Sequence, residues 1–117
     1  MIDIKEIVEE QVISLAKNIS LAAITAPKAR GVDNLEIRIA YGKELEKLSE
    51  KLQELHKTTG QEFLLRDSNN VLQSQAVILV GSKVKILGLD CGYCGFNSCK
   101  EKEENAPEEK SFINDKI

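Results

Sequence analysis

Apolar residues at Ile4, Ile7, Val8, Val12, Leu15, Ile19, Ala22 and Ala23 recur at helical spacing and predict a long N-terminal helix. Asp3 is placed as its N-cap, with Glu6 as the capping-box partner and Ile2 against Ile7 as a hydrophobic staple. From Gln11 to Ala26 the only charged residue is Lys17, and Ile13, Leu21 and Ile24 add apolar positions off the main stripe. A helix apolar on most sides has to be covered on most sides, either by its own domain or by a second subunit. Pro27 and Gly31 end it. Leu35, Ile37 and Ile39 then alternate with Glu36 and Arg38, the pattern of a half-buried strand, and Tyr41-Gly42 turns the chain. Leu45, Leu48, Leu52 and Leu55 predict an amphipathic helix near 43–58, stopped at Thr58-Thr59-Gly60.

Beyond that helix the pattern is less regular. Phe63 to Leu65 reads as a short strand or a helix start, and Asp67-Ser68-Asn69-Asn70 as a turn. Asn70 to Gln75 has room for one helical turn. Ala76-Val77-Ile78-Leu79-Val80 is a continuous apolar run, which predicts a strand near 76–80 buried on both faces. Gly81-Ser82-Lys83 reads as a turn, and Val84 and Ile86 alternate with lysines as an edge strand leading into a cysteine loop at 87–101. Residues 100–110, KEKEENAPEEK, are nearly all charged and predict a solvated helix running into a charged tail over 102–117. The expected fold class is α+β: a single domain over 1–117 with a long N-terminal helix, a small sheet, a second amphipathic helix and a C-terminal Cys loop.

Composition narrows the chemistry. Aromatic residues make up 4% of the 117 residues and there is no Trp, so the core is aliphatic and base-stacking platforms are not expected. The net charge of −3 argues against a phosphate-backbone ligand and so against a nucleic-acid partner. No apolar run approaches the ~18 residues that span a bilayer. The first ten residues, MIDIKEIVEE, lack the apolar segment of a secretory signal. No membrane partner and a cytoplasmic location are therefore expected, and there thiols stay reduced. His56, the only histidine, lies on a charged flank of the second helix and reads as an ordinary surface residue.

All three cysteines, Cys91, Cys94 and Cys99, fall within LGLDCGYCGFNSCKE, with a glycine directly after each of the first two. Clustered thiols in a reducing compartment read as metal-binding or catalytic rather than disulfide-forming. The two-residue gap lets Cys91 and Cys94 reach one site, Gly92 and Gly95 allow positive φ near it, and Cys99 closes a third corner. Backbone N–H groups donating to sulfur would tune such a centre. A structural zinc and a [4Fe–4S] cluster each want four ligands, so both are one short here. Asp90, solvent, substrate or a partner chain as fourth ligand, a three-iron cluster, or three reduced thiols with no metal all remain open at this point.

The run CGYCGFNSC resembles the CG-x-CG-x3-C iron–sulfur motif of electron-transfer proteins. Together with TAPKARGVDN at 25–34 and FLLRDSNNV at 63–71, it is similar to an uncharacterised prokaryotic family of ferredoxin domain-containing proteins. The resemblance covers about residues 15–100. It implies an iron–sulfur cluster on Cys91, Cys94 and Cys99, serving electron transfer or redox sensing with a redox partner protein. The family's fourth cysteine falls in a segment that matches Ser111-Phe112-Ile113-Asn114, where this chain has serine. Its members also continue for some tens of residues past the point where this sequence ends.

A shorter likeness concerns the AP-x-AR loop. A long helix, then Ala26-Pro27-Lys28-Ala29-Arg30 and a strand, then a leucine-rich helix and an AVILV strand resemble the order in flavin-dependent nitroreductase-like folds. That likeness implies FMN, with Lys28 and Arg30 at its phosphate, and a homodimer. From the residues alone, Lys28 and Arg30 read either as solvated cations near a helix C-terminus or as an anion site beside Gly31. A third reading is a domain retained only for dimer or complex formation. Whether the chain is an enzyme, and on what substrate, is not encoded in any motif found here.

Overall fold

The computed structural model of the chain describes residues 1–83 and 85–105. Their elements are α1 (Ile4–Thr25), β1 (Leu35–Tyr41), α2 (Lys43–Thr59), α3 (Glu62–Gln73), β2 (Ala76–Ser82) and α4 (Cys99–Asn105). The two strands pair as an antiparallel ribbon, so the class is α+β as expected. Contacts along the chain gather it into two compact units. One holds Met1–Thr25 and Ile37–Val80; the other holds Ala26–Glu36 and the described residues from Gly81 onward.

In the first unit, Asp3 starts α1 as its sequence predicts. Its carboxylate accepts from the Lys5 N–H at 2.9 Å, satisfying one of the donors a helix start leaves free. The core of the unit is Ala40, Leu45 and Val71, with Leu48, Leu52 and Val77 packed against them. The leucine stripe of α2 thus faces inward as its 3.6-residue period requires. Gly60, at φ 71°, ends α2 in the left-handed conformation and donates its N–H to the His56 carbonyl at 2.8 Å. The His56 ring Nδ1 is 2.9 Å from the Gln61 carbonyl. A carbonyl only accepts, so Nδ1 carries the proton, and this histidine ties down the turn between α2 and α3.

The segment from Glu62 to Gln73 departs most from its sequence reading. It is one continuous helix, and the expected turn at Asp67–Asn70 lies in its middle. Leu64, Ser68 and Val71 are its buried residues, spaced four and three apart. Ser68 has no exposed surface, and the buried Ser49 of α2 donates its hydroxyl to the Ser68 carbonyl at 3.0 Å. Two small side chains at this crossing allow α2 and α3 to approach closely. Burial against α2 outweighs the turn preference of Asp, Ser and Asn, which is a matter of tenths of a kcal/mol per residue.

Two further expectations change. The run Ala76–Leu79 is half-buried and Val80 is exposed, rather than buried on both faces. A strand in a two-stranded ribbon has one neighbour, which leaves part of its surface open. The strand also extends past its expected turn to Ser82, and the Lys83 N–H still donates to the Asn34 carbonyl at 2.9 Å. Pairing stops there because β1 begins at Leu35. Residues 85–90 consequently form no strand, so the expected edge strand at Val84 and Ile86 is absent at Ile86, while Val84 lies outside the described residues.

Most of the large aliphatic residues of α1 are exposed, while Val12 and Ile13 are half-buried. Ala16 is the buried residue of this helix, at 5% exposure, whereas Ile4, Leu15, Ile19 and Leu21 are all more than half exposed. Of the two ways expected for covering this helix, burial within its own domain is only partial among the described residues.

Candidate functional site

The cysteine loop and the AP-x-AR loop fall in the same unit, and one side chain joins them. Ala29–Gly31 form a single turn of tight helix, held by the Gly31 N–H on the Lys28 carbonyl at 2.9 Å. Arg30 sits in this turn at φ 57°, the left-handed region that costs a residue with a Cβ free energy. Its Nη1 donates to the carbonyls of Leu87 at 2.9 Å and Gly88 at 3.2 Å. These are the residues that enter the cysteine loop. Lys28, the other expected phosphate ligand, turns its Nζ onto the Ala26 carbonyl at 2.6 Å.

Gly88 is required where Arg30 meets the chain. It adopts φ 68°, and a Cβ there would stand 3.0 Å from Arg30 Nη1. A side chain would be strained and would also push against the guanidinium.

The loop is closed on itself by a reciprocal pair. The Cys99 N–H donates to Asp90 Oδ1 at 2.7 Å, and the Asp90 N–H donates to Cys99 Sγ at 3.3 Å. Asp90 itself is at φ 49°. Its carboxylate therefore acts as a clasp on the backbone rather than as a free oxygen donor. Gly92 and Gly95 take positive φ, 75° and 86°, with nothing within 4 Å of where a Cβ would be. The Gly95 N–H donates to the Gly92 carbonyl at 3.0 Å, which folds the chain tightly between Cys91 and Cys94. Ser98 starts α4, accepting from the Glu101 N–H at 3.1 Å, while Glu101 accepts from the Asn97 N–H at 2.9 Å. This Ser-x-x-Glu cap fixes Cys99 at the first position of the helix.

Cys91 and Cys94 are exposed, Cys99 is half-buried, and all three are free thiols. Tyr93, between the first two, is 95% exposed. Among the described residues no group of three or more His, Cys, Asp or Glu side chains is gathered as a ready-made metal site. The donor set still fits a soft metal or cluster in kind. It offers three thiols on a short loop, two left-handed glycines that let the backbone come close, and a backbone N–H already directed at one sulfur. In number it is one donor short of the usual four. Ser111, the match to the family's fourth cysteine, lies outside the described residues.

Sequence reasoning located the cysteines and glycines but missed two working residues. Asp90 was readable, since an Asp beside the first cysteine is a natural acceptor for loop amides. Arg30 was read for an anion, and nothing in the sequence joins it to a carbonyl 57 residues away.

A protein from Archaeoglobus fulgidus, named as an uncharacterized protein, is 37% identical to this chain over 93 residues. The match takes in 79% of this chain and 50% of that protein, so the chain spans about half the length of its relative. No protein-family model matches the sequence. No solved structure matches it either.

Proposed function

We propose that this chain belongs with the ferredoxin domain-containing proteins it resembles and binds an iron–sulfur cluster for electron transfer or redox sensing. Cys91, Cys94 and Cys99 are the ligands, and Gly92 and Gly95 shape the loop around them. The observation that carries the reading is the prepared loop. Its ends are clasped by Asp90 and Cys99, and the clasp puts an N–H on the Cys99 sulfur before any metal is considered. When bound, the cluster supplies one-electron chemistry; the chain supplies ligands, N–H donors to sulfur and exposure to a redox partner at Tyr93. The fourth ligand comes from solvent, substrate or a partner chain.

Elemental and flavin analysis of protein purified without oxygen separates this from its competitors. Iron with an equal amount of inorganic sulfide, and no FMN, is the expected result. Zinc in their place would make the loop a structural metal site, and bound FMN would favour the nitroreductase-like alternative.

The exposed aliphatic face of α1 supports the homodimer implied by its sequence. Ile4, Val8, Leu15 and Ile19 are exposed and share one side of the helix, on which no charged residue falls. Such a face meets no like-charge repulsion from its own copy. Light scattering is expected to report two 13.0 kDa chains, and the double change Leu15→Glu, Ile19→Glu to return a folded single chain. A wild-type monomer would remove the dimer from this account.

A further inference from the structure

We infer that Arg30 is a positioning residue for the cysteine loop: a latch, 57 residues upstream of the backbone it holds, that keeps the loop in shape for ligation. The inference rests on the proposed metal-binding reading for its purpose, but not for its geometry.

Three observations converge on it. Among the described residues, two non-glycine positions have positive φ, Arg30 and Asp90. These are the same two residues that grip the loop, Arg30 at its entry and Asp90 across its ends. Left-handed backbone at a residue with a Cβ costs free energy and persists where surrounding bonds over-determine it. The strained positions are the two gripping residues, so the backbone at the loop's entry and ends is held, while the cysteine side chains still have to gather around a ligand.

The second observation is the form of the grip. One nitrogen of the guanidinium spans two successive carbonyls, Leu87 and Gly88, and so fixes the direction of the peptide between them. Charged donors make stronger hydrogen bonds than neutral ones. The chain reaches Asp90 two residues later, so the latch and the clasp act on one short stretch.

Third, the grip leaves capacity unused. Among the described residues, Nε and Nη2 of Arg30 have no partner, and the side chain is exposed. Its remaining N–H groups stay free at the entry of the loop that carries the three thiols. This gives the basic residue of the AP-x-AR loop a task that needs no phosphate ligand.

The test uses reduced wild-type protein, Arg30→Gln, Arg30→Lys, Gly88→Ala and, as a control for the lost charge, Arg38→Gln on the exposed face of β1. The first readout needs no metal: hydrogen exchange of the Asp90 and Cys99 amides by NMR. Arg30→Gln and Gly88→Ala are expected to speed both about tenfold or more, as loss of a charged hydrogen bond would. Arg30→Lys should fall between, and Arg38→Gln should match wild type. The second readout is cobalt(II) titration under nitrogen, followed by the thiolate charge-transfer absorbance. Arg30→Gln is expected to weaken binding roughly 10- to 100-fold, the usual cost of losing a residue that orients a metal's ligands. Unchanged exchange in Arg30→Gln would overturn the latch outright. Faster exchange with undiminished cobalt affinity would overturn its role in ligation. Wild-type protein that takes up no cobalt while Arg30→Gln still loosens the loop would refute the metal-binding reading and leave Arg30 as a purely structural latch.

Discussion

Cys91→Ser or Cys94→Ser is expected to abolish retention of the cluster. A three-thiolate set is already one ligand below the usual four, so removing either exposed cysteine leaves two sulfurs, fewer than a stable cluster takes. Serine keeps the size and replaces a soft donor with a hard, weakly acidic one. The loss should be complete on desalting, not a shift in affinity. Iron determination per chain after reconstitution and gel filtration measures it. The fold should survive, because both residues are exposed and neither side chain is part of the core. Unchanged thermal unfolding of the metal-free variants checks that point. Full iron retention in Cys91→Ser or Cys94→Ser would show that the site lies elsewhere. Cys99 is a less clean target, since its sulfur also accepts the Asp90 N–H and its loss would disturb the clasp.

Leu64→Ala should be the most damaging substitution for the fold itself. Leu64 is the largest of the fully buried side chains, at 2% exposure, and lies on the face of α3 turned toward α2. Truncating a buried leucine removes its transfer free energy and leaves a cavity that closes only in part, together about 2–5 kcal/mol. The stability of a chain this size is about 5–15 kcal/mol, so the variant should lose a large fraction of it. Urea unfolding followed by far-UV circular dichroism reads the change. A midpoint within error of wild type would mean that α3 is not packed as described. Leu65→Ala, one position along the same helix on an exposed side chain, is the natural comparison and should cost far less.

The legibility of this chain varied with how much of each element's fate is local. α1 and α2 were readable because helical periodicity, an Asp cap and a terminal glycine all agree. β1 was readable because Leu35, Ile37 and Ile39 alternate within one short run. α3 was not, because its inward face is made partly of Ser68, which as a residue type argues for a turn. Only its burial against Ser49 of α2, 19 residues earlier, makes a helix the better solution. The end of β2 was misjudged for a related reason. Val84 and Ile86 have strand character, but pairing is limited by where β1 begins, which the local sequence does not state.

The site divides the same way. Cysteine spacing and the two glycines are local signals, and they marked the loop and its backbone. The clasp between Asp90 and Cys99 depends on the loop's closure, and the Arg30 latch on a contact across 57 residues. Lys28 and Arg30 read from the sequence either as solvated cations near a helix C-terminus or as an anion site beside Gly31. In the structure each side chain donates to backbone carbonyls.

The central claim is that Cys91, Cys94 and Cys99 hold an iron–sulfur cluster. Reconstitution of the reduced wild-type protein with ferrous iron and sulfide under nitrogen, followed by gel filtration, tests it most directly. The account predicts iron and sulfide co-eluting with the chain in near-equal amounts, with a broad absorbance near ~400 nm that dithionite bleaches. Protein that elutes colourless, without iron or sulfide, would contradict it.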